Sequence, residues 1–87
     1  MEDNKFIWFV SVKSGNRKVL AICEMPVLEG DVAKIVFQSA DEEPLLGEVI
    51  ATIMTDRNSK LHKWILEATE GAIARRKVVK VWPLRSE

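Results

Sequence analysis

The chain has one histidine, His62, and one cysteine, Cys23, and these residue types most often carry acid–base, nucleophilic or metal chemistry. His62 has no second histidine with which to form a metal or catalytic pair, and no Cys-x-x-Cys motif occurs. It lies beside an apolar stripe, not within it, which predicts an exposed structural histidine. Cys23 falls among apolar residues, which predicts a buried, unreactive thiol. We therefore expect no metal, no cofactor and no catalytic residue.

Carboxylates and glycines offer no stronger candidates. Glu42 and Glu43, with Glu24 earlier in the chain, are acids of the kind that general acid–base catalysis uses, but nothing in the sequence fixes their separation or removes them from water. Negative charge near the start of a helix is the simpler interpretation of Glu42 and Glu43. The four glycines stand singly, and none forms a phosphate-binding loop with a following lysine. A standard nucleotide-binding motif is excluded.

A basic cluster near the C-terminal end is the best candidate for contact with a ligand. It surrounds Trp82 and consists of Arg75, Arg76, Lys77, Lys80 and Arg85. Cations interleaved with an aromatic residue suit a polyanion, because the cations neutralise phosphates and bases stack on the ring. A formal net charge of zero, however, is poor for a nucleic-acid-binding protein. Anion or nucleic-acid binding is therefore the alternative hypothesis.

The charges are unevenly placed along the chain. Segment 24–43 has six acids against one base, whereas segment 57–85 has eight bases against two acids. Such a division suits an anionic ligand at the basic end, or two copies that meet acid to base about a two-fold axis.

Composition predicts one small globular domain over residues 1–87. A hydrophobic fraction of 47% and a charged fraction of 30% are ordinary for such a domain, and 87 residues are near the lower limit for a single core. A lone cysteine excludes an intramolecular disulfide, and the acidic start of the chain is unlike a secretory signal. The longest apolar run, Phe6 to Val10, is far shorter than the roughly 20 residues that span a bilayer. We expect a cytoplasmic protein without a membrane partner.

The clearest structural signal is a β-hairpin whose register can be read from the sequence. Two apolar runs flank Ser14-Gly15-Asn16-Arg17, and Gly-Asn suits a two-residue turn that requires positive φ. Ser14 should therefore face Arg17. Counting back gives one wholly apolar face, on which the pairs are Val12 with Val19, Val10 with Ala21, Trp8 with Cys23, and Phe6 with Met25. The same register sets Lys13 opposite Lys18, a mildly unfavourable pair.

The second face of this hairpin is also apolar at its centre. It carries Ile7, Phe9, Leu20 and Ile22. An antiparallel sheet normally exposes one polar face, so a second apolar face requires a second cover. We expect this face to be a protein interface, most simply with a second copy of the chain.

The remaining elements are less uniform. Val32 to Gln38 alternates as a third strand that should pair with the second. Segment 39–56 has β-branched residues typical of a strand, but its apolar spacing follows the helical period, and Ser39 or Asp41 could start a helix before Pro44. We interpret it as a helix and keep a strand over residues 45–55 as the alternative.

A helix capped by Asn58 or Ser59 should follow, since residues spaced three and four apart line one apolar face: Leu61, Trp64, Ile65, Ala68, Ala72 and Ile73. Gly71 either ends this helix early or lets another backbone approach it. Val78 to Trp82 then forms a last strand before Pro83.

The predicted fold class is therefore α+β, with a four-stranded, largely antiparallel sheet in the order β-β-β-α-α-β and two helices on one face. The alternative is five strands and one helix. We expect the helices to cover the face of Trp8 and Cys23 and to leave the opposite face for a partner. The leading functional hypothesis is a non-catalytic interaction or regulatory module that forms a homodimer, and the alternative is a small nucleic-acid-binding protein that uses the basic cluster.

Overall fold

A computed structural model describes residues 5–39 and 41–83 as five strands and one helix, and the strands form a closed barrel. In chain order the elements are β1 (Phe6–Ser14), β2 (Arg17–Cys23), β3 (Val32–Phe37), β4 (Leu45–Asp56), α1 (Lys60–Ala68), a 3₁₀ turn (Ala72–Arg75) and β5 (Arg76–Trp82). The prediction of a four-stranded sheet with two helices is wrong, and the alternative of five strands and one helix is correct.

The hairpin register is confirmed from Trp8 to the turn, but the predicted pair of Phe6 with Met25 does not form, because β2 ends at Cys23. Ser14 pairs with Arg17, Val10 with Ala21, and Trp8 with Cys23. Gly15 has a φ of +61° at the first position of the turn, while Asn16 is not among the described residues with positive φ, as in a type II′ turn. The register also retains the pair of Lys13 with Lys18, so no bulge relieves it.

Segment 45–55, which we predicted as a helix, is part of the long strand β4. Its first residues pair with β3 at Lys34 to Leu46, and its later residues pair with β1 at Phe9 to Ile53. Glycine is needed where the strand passes from one partner to the other, because a Cβ on Gly47 would lie 2.5 Å from the Lys13 carbonyl oxygen. The β-branched residues therefore indicated the correct structure for this segment. The apolar spacing did not, because β4 pairs with both β1 and β3 and this pairing overrides the helical period.

The barrel order is β1-β2-β5-β3-β4, with β4 paired back to β1. The third strand does not pair with the second, as we predicted, because β5 lies between them. β5 runs antiparallel to β3 over its length but is paired with β2, in parallel, at one position, Ile22 to Lys77. The pairing of β2 with β5, which closes the barrel, therefore has the fewest paired residues.

The main core fills the inside of the barrel. It contains buried residues from all five strands, and Trp8 and Leu45 pack against it. A second, smaller core lies outside the barrel wall, where Ile7 and Phe9 of β1 meet Ile73 of the 3₁₀ turn. Our assignment of the layers was therefore inverted. The barrel closes over the face of Trp8 and Cys23, and α1 with the 3₁₀ turn covers part of the other face.

Helix α1 begins and ends as its sequence indicates. Ser59 is the cap, and its Oγ accepts a hydrogen bond from the His62 backbone N–H at 3.1 Å. The helix stops at Thr69, and Gly71 then takes a φ of +77° with open space around its α-carbon. Glu70, with a φ of +54°, is the left-handed residue that ends the helix, and the backbone N–H of Gly71 donates to the Leu66 carbonyl oxygen at 2.8 Å. Gly71 does not serve a close backbone approach. Across the described ranges, no helix is both long and apolar enough to cross a membrane.

Candidate functional site

The predicted interface face is divided by the fold. Ile7 is fully buried and Phe9 is 5% exposed, because Ile73, Ile65 and Leu66 pack on them. Ile22 is half-buried, and Leu20 remains 46% exposed. The chain thus supplies its own cover for the β1 half of this face, and leaves the β2 half partly open to solvent.

His62 fastens helix α1 to this face. It is only 8% exposed, so our prediction of an exposed histidine is wrong. Its Nδ1 lies 3.1 Å from the Thr55 hydroxyl, and this hydroxyl donates to the Ile7 carbonyl oxygen at 3.2 Å. Because the hydroxyl has a single proton, Nδ1 carries the hydrogen of the first bond. The imidazole also lies 5.1 Å from the Phe9 ring, centroid to centroid.

The position of His62 disfavours its charge. Burial lowers the pKa of His62 below its ordinary value, and the positive charge of Arg57 lowers it further, against an opposing effect of Asp56. A neutral imidazole that is hydrogen-bonded to a hydroxyl and packed at a tilt against a phenyl ring has a structural role: it holds α1 on the barrel. This role could not be predicted from the sequence, because the side of α1 that packs on the barrel depends on strands that are distant along the chain.

An apolar groove remains between the helix and the barrel wall. It encloses about 260 Å³ and is lined by residues of β1, β2, β4, the helix end and the 3₁₀ turn: Phe9, Val10, Ser11, Leu20, Ala51, Thr52, Ile53, Ile65, Thr69 and Ile73. Leu20 and Ile53 stand at its rim, each a little under half exposed. The groove therefore presents aliphatic side chains to solvent from two strands and one helix.

One flank of α1 borders this groove. Ile65 lines it, and Leu61 and Ala68 are spaced four and three residues from Ile65, so they share its side of the helix. Trp64 lies next to them and is 64% exposed, which corrects our expectation that it belongs to the core. The helix that helps to line the groove therefore also carries an exposed tryptophan.

The basic cluster is split between two places. Arg75 and Arg76 line a cavity that also contains Glu42, whose carboxylate lies 3.3 Å from Arg17. Lys77 shares a second cavity with Arg75, and Lys80 is exposed three residues further along β5. Arg85 lies outside the described residues.

The fold adds a residue that the sequence did not assign to this cluster. Lys34 of β3 pairs directly with Lys80 of β5. No signal in the sequence could have identified it, because the pairing of β3 with β5 joins segments more than forty residues apart.

Cys23 is buried, as we predicted. Its Sγ donates a hydrogen bond to the Met25 carbonyl oxygen at 3.2 Å. Burial raises the pKa of the Cys23 thiol, with a smaller rise from Glu24. A protonated, enclosed thiol is a poor nucleophile.

The carboxylates have structural partners. Glu24 lies 3.5 Å from Arg57, and buried Asp31 accepts a hydrogen bond from the Leu28 backbone N–H at 3.0 Å. Glu42 and Glu43 do not start a helix, because they precede a strand. Within the ranges 5–39 and 41–83, no three His, Cys, Asp or Glu side chains are grouped as metal ligands would be.

The chain matches no family model, no curated protein and no solved structure in the three comparisons made with known proteins.

Proposed function

We propose that this chain is a non-catalytic interaction module that forms a homodimer through the groove beside helix α1. The observation that carries the proposal is the exposure of Leu20 and Ile53 on one apolar recess, with Trp64 exposed one residue from Ile65, which also lines that recess. Contiguous apolar surface of this kind marks an interface more often than an ordinary solvated surface. The proposal replaces the original interface of Ile7, Phe9, Leu20 and Ile22 with a surface that keeps Leu20 and moves toward the helix.

A second copy is the occupant that this surface suits best. A two-fold contact is self-complementary, so one patch must contain both the part that protrudes and the part that receives it. Trp64 supplies the first and the groove supplies the second, and Trp64 is one residue from Ile65, which lines the groove. In a two-fold dimer each Trp64 then faces the groove of the other copy. Tryptophan is among the residues that contribute most to binding energy at such positions.

The charge division contributes less than we expected. Two of the acids in segment 24–43 already have basic partners within the same chain, Glu24 with Arg57 and Glu42 with Arg17. Apolar contact is therefore the main attraction in the proposed dimer, and it should persist in high salt.

The rest of the proposal is a cytoplasmic, non-catalytic protein. His62 is engaged by Thr55 and held under the helix, and the Cys23 thiol is enclosed, so neither is available to a substrate. The buried reduced thiol suits a reducing compartment. Such a module acts by forming a dimer, not by catalysis.

The test is a pair of matched substitutions. Leu20 is 46% exposed at the groove, and Leu46, which does not line the groove and pairs with Lys34 of β3, is 55% exposed. Leu20→Glu should raise the dimer dissociation constant by about 100-fold, or roughly 2.7 kcal/mol, because a carboxylate would be desolvated in the interface. Leu46→Glu should leave it unchanged. Trp64→Ala should weaken the dimer by at least about tenfold.

Solution mass by light scattering, with circular dichroism as the check on folding, measures these effects. Equal dimer strength in Leu20→Glu and Leu46→Glu would refute the groove as the interface. A folded wild-type monomer at every concentration would refute the homodimer and assign the groove to a different protein.

A further inference from the structure

The outer face of β3 and β5 carries a row of like charges that the fold does not neutralise. Lys34 pairs with Lys80 on one side, and on its other side it pairs with Leu46 of β4. Side chains directly opposite each other on antiparallel strands lie about 4.5–5.5 Å apart at Cβ, and like charges at that distance destabilise the pair. No acid occupies the row of Leu46, Lys34 and Lys80.

A second pair of lysines in the same barrel has an acid beside it. Lys13 also pairs with a lysine, Lys18, but on its other side it pairs with Glu48. The barrel therefore sets an acid beside one lysine pair and an apolar side chain beside the other. A sequence that breaks a local rule without compensation does so most often at a functional site.

Further cations lie on the same face beside this row. Lys77 is three residues before Lys80 on β5 and pairs with Val36, and Arg75 lines the same shallow cavity of about 230 Å³ as Lys77 and Val79. None of the ion pairs among the described residues includes Lys34, Lys77 or Lys80. Two acids border this face. Glu48 pairs with Val32 of β3 but on its other side lies opposite Lys13, and Glu24 lines one cavity with Lys77 but forms an ion pair with Arg57.

Aromatic and apolar surface lies within this basic face. The Lys80 ammonium sits 5.0 Å from the centroid of the Trp82 ring, which is itself partly exposed. Leu46, Val36 and Val79 are exposed around the lysines. A flat strand face that combines cations, a tryptophan and aliphatic contacts is the arrangement on which single strands are bound, through phosphates and stacked bases.

We infer that the outer face of β3 and β5 binds single-stranded nucleic acid, with Lys34, Lys77 and Lys80 on the phosphates and Trp82 against a base. This activity goes beyond dimer formation. β5 and β3 are consecutive in the barrel, and the groove lies on the other strands, so a dimer joined at the groove would keep both basic faces free. The zero net charge does not oppose it, because the potential at the surface depends on local charges.

The experiment is fluorescence anisotropy with labelled 20-nucleotide oligo(dT) and oligo(U), titrated with the full chain over a range of salt concentrations. Three or four neutralised phosphates predict a salt slope of about −2 to −3 on logarithmic axes. Lys34→Gln with Lys80→Gln should weaken binding at least about tenfold and make the slope shallower by about 1.4. Trp82→Leu should weaken binding without changing the slope.

The matched control is Lys13→Gln with Lys18→Gln, which removes the same charge from the neutralised pair and should leave the affinity within about twofold. Leu46→Glu separates this inference from the dimer, since it sets a carboxylate opposite Lys34 and should abolish oligonucleotide binding in a chain that stays dimeric. Equal losses in the two double variants would overturn the inference. So would wild-type binding weaker than about 100 μM at 50 mM salt, or binding to phosphatidylserine vesicles without oligonucleotide binding, which would assign the face to an anionic membrane surface.

Discussion

The two outer sides of this barrel differ in whether other elements of the chain cover them. On the side of β1, β2 and the later part of β4, apolar residues point outward, and α1 with the 3₁₀ turn covers Ile7 and Phe9 among them. On the side of β3 and β5, lysines alternate with aliphatic residues and no helix lies on them. The first side is a second hydrophobic core with an open margin, and the second is a bare, charged surface.

The difference follows from where the chain leaves β4. Asp56 ends that strand beside Phe6 of β1, and the helix begins four residues later, at Lys60. Its buried side therefore meets the outward residues of β1, and His62 joins Thr55 there. The chain then crosses to β5 on the far side with no further element to cover it. Position along the chain, more than composition, decides which face is covered.

The largest expected effect contrasts one apolar residue from each side. Phe9→Ala should lower the free energy of unfolding by about 3–5 kcal/mol, because it empties the core beneath α1. Val36→Ala, on the exposed side, should change it by less than about 0.5 kcal/mol. Urea denaturation of both variants measures the two values. Similar losses would mean that the two sides are equally buried in solution.

A smaller loss of stability is expected where β4 connects the covered side of the barrel to the exposed side. Gly47→Ala inserts a Cβ within 2.7 Å of Val12 Cγ1 and closer still to the Lys13 carbonyl, where β4 passes between its two partners. Overpacking of this kind costs about 1–3 kcal/mol. Leu46→Ala, at the neighbouring exposed position, is the control. Thermal unfolding should show the loss in Gly47→Ala alone, and an unaffected midpoint would contradict the tight closure of the barrel at this point.

The smallest expected effect is a pH dependence confined to the covered side. The pKa of folded His62 is lowered, whereas an unfolded histidine titrates near 6.5, so the unfolded chain binds more protons as the pH falls below about 6.5. The stability that neutral His62 provides is complete above that pH and is progressively lost below it. His62 is the chain's one histidine, which makes the assignment direct.

Urea midpoints at pH 7.5 and 5.5 should therefore differ more in the wild type than in His62→Gln. An equal difference in the two proteins would show that other groups cause the pH dependence.

The sequence predicted the local features of this fold and missed the distant ones. The β1–β2 register from Trp8 to the turn, the Ser59 cap and the end of α1 before Gly71 depend on residues close together in the chain, and they are confirmed. The helix predicted over 45–55 failed because the partners of β4, on β1 and β3, are distant in sequence. For the same reason the sequence located Lys80 but not its neighbour Lys34, and it located Leu20 but not the groove to which Leu20 belongs.

The most direct test of the central claim, that the margin of the covered side joins two copies, is the solution mass of the wild-type chain by light scattering over a concentration series at low and high salt. We predict twice the mass of one chain at the higher concentrations, unchanged by salt, because the contact is apolar. A single-chain mass throughout, or a dimer that dissociates as salt is added, would contradict it.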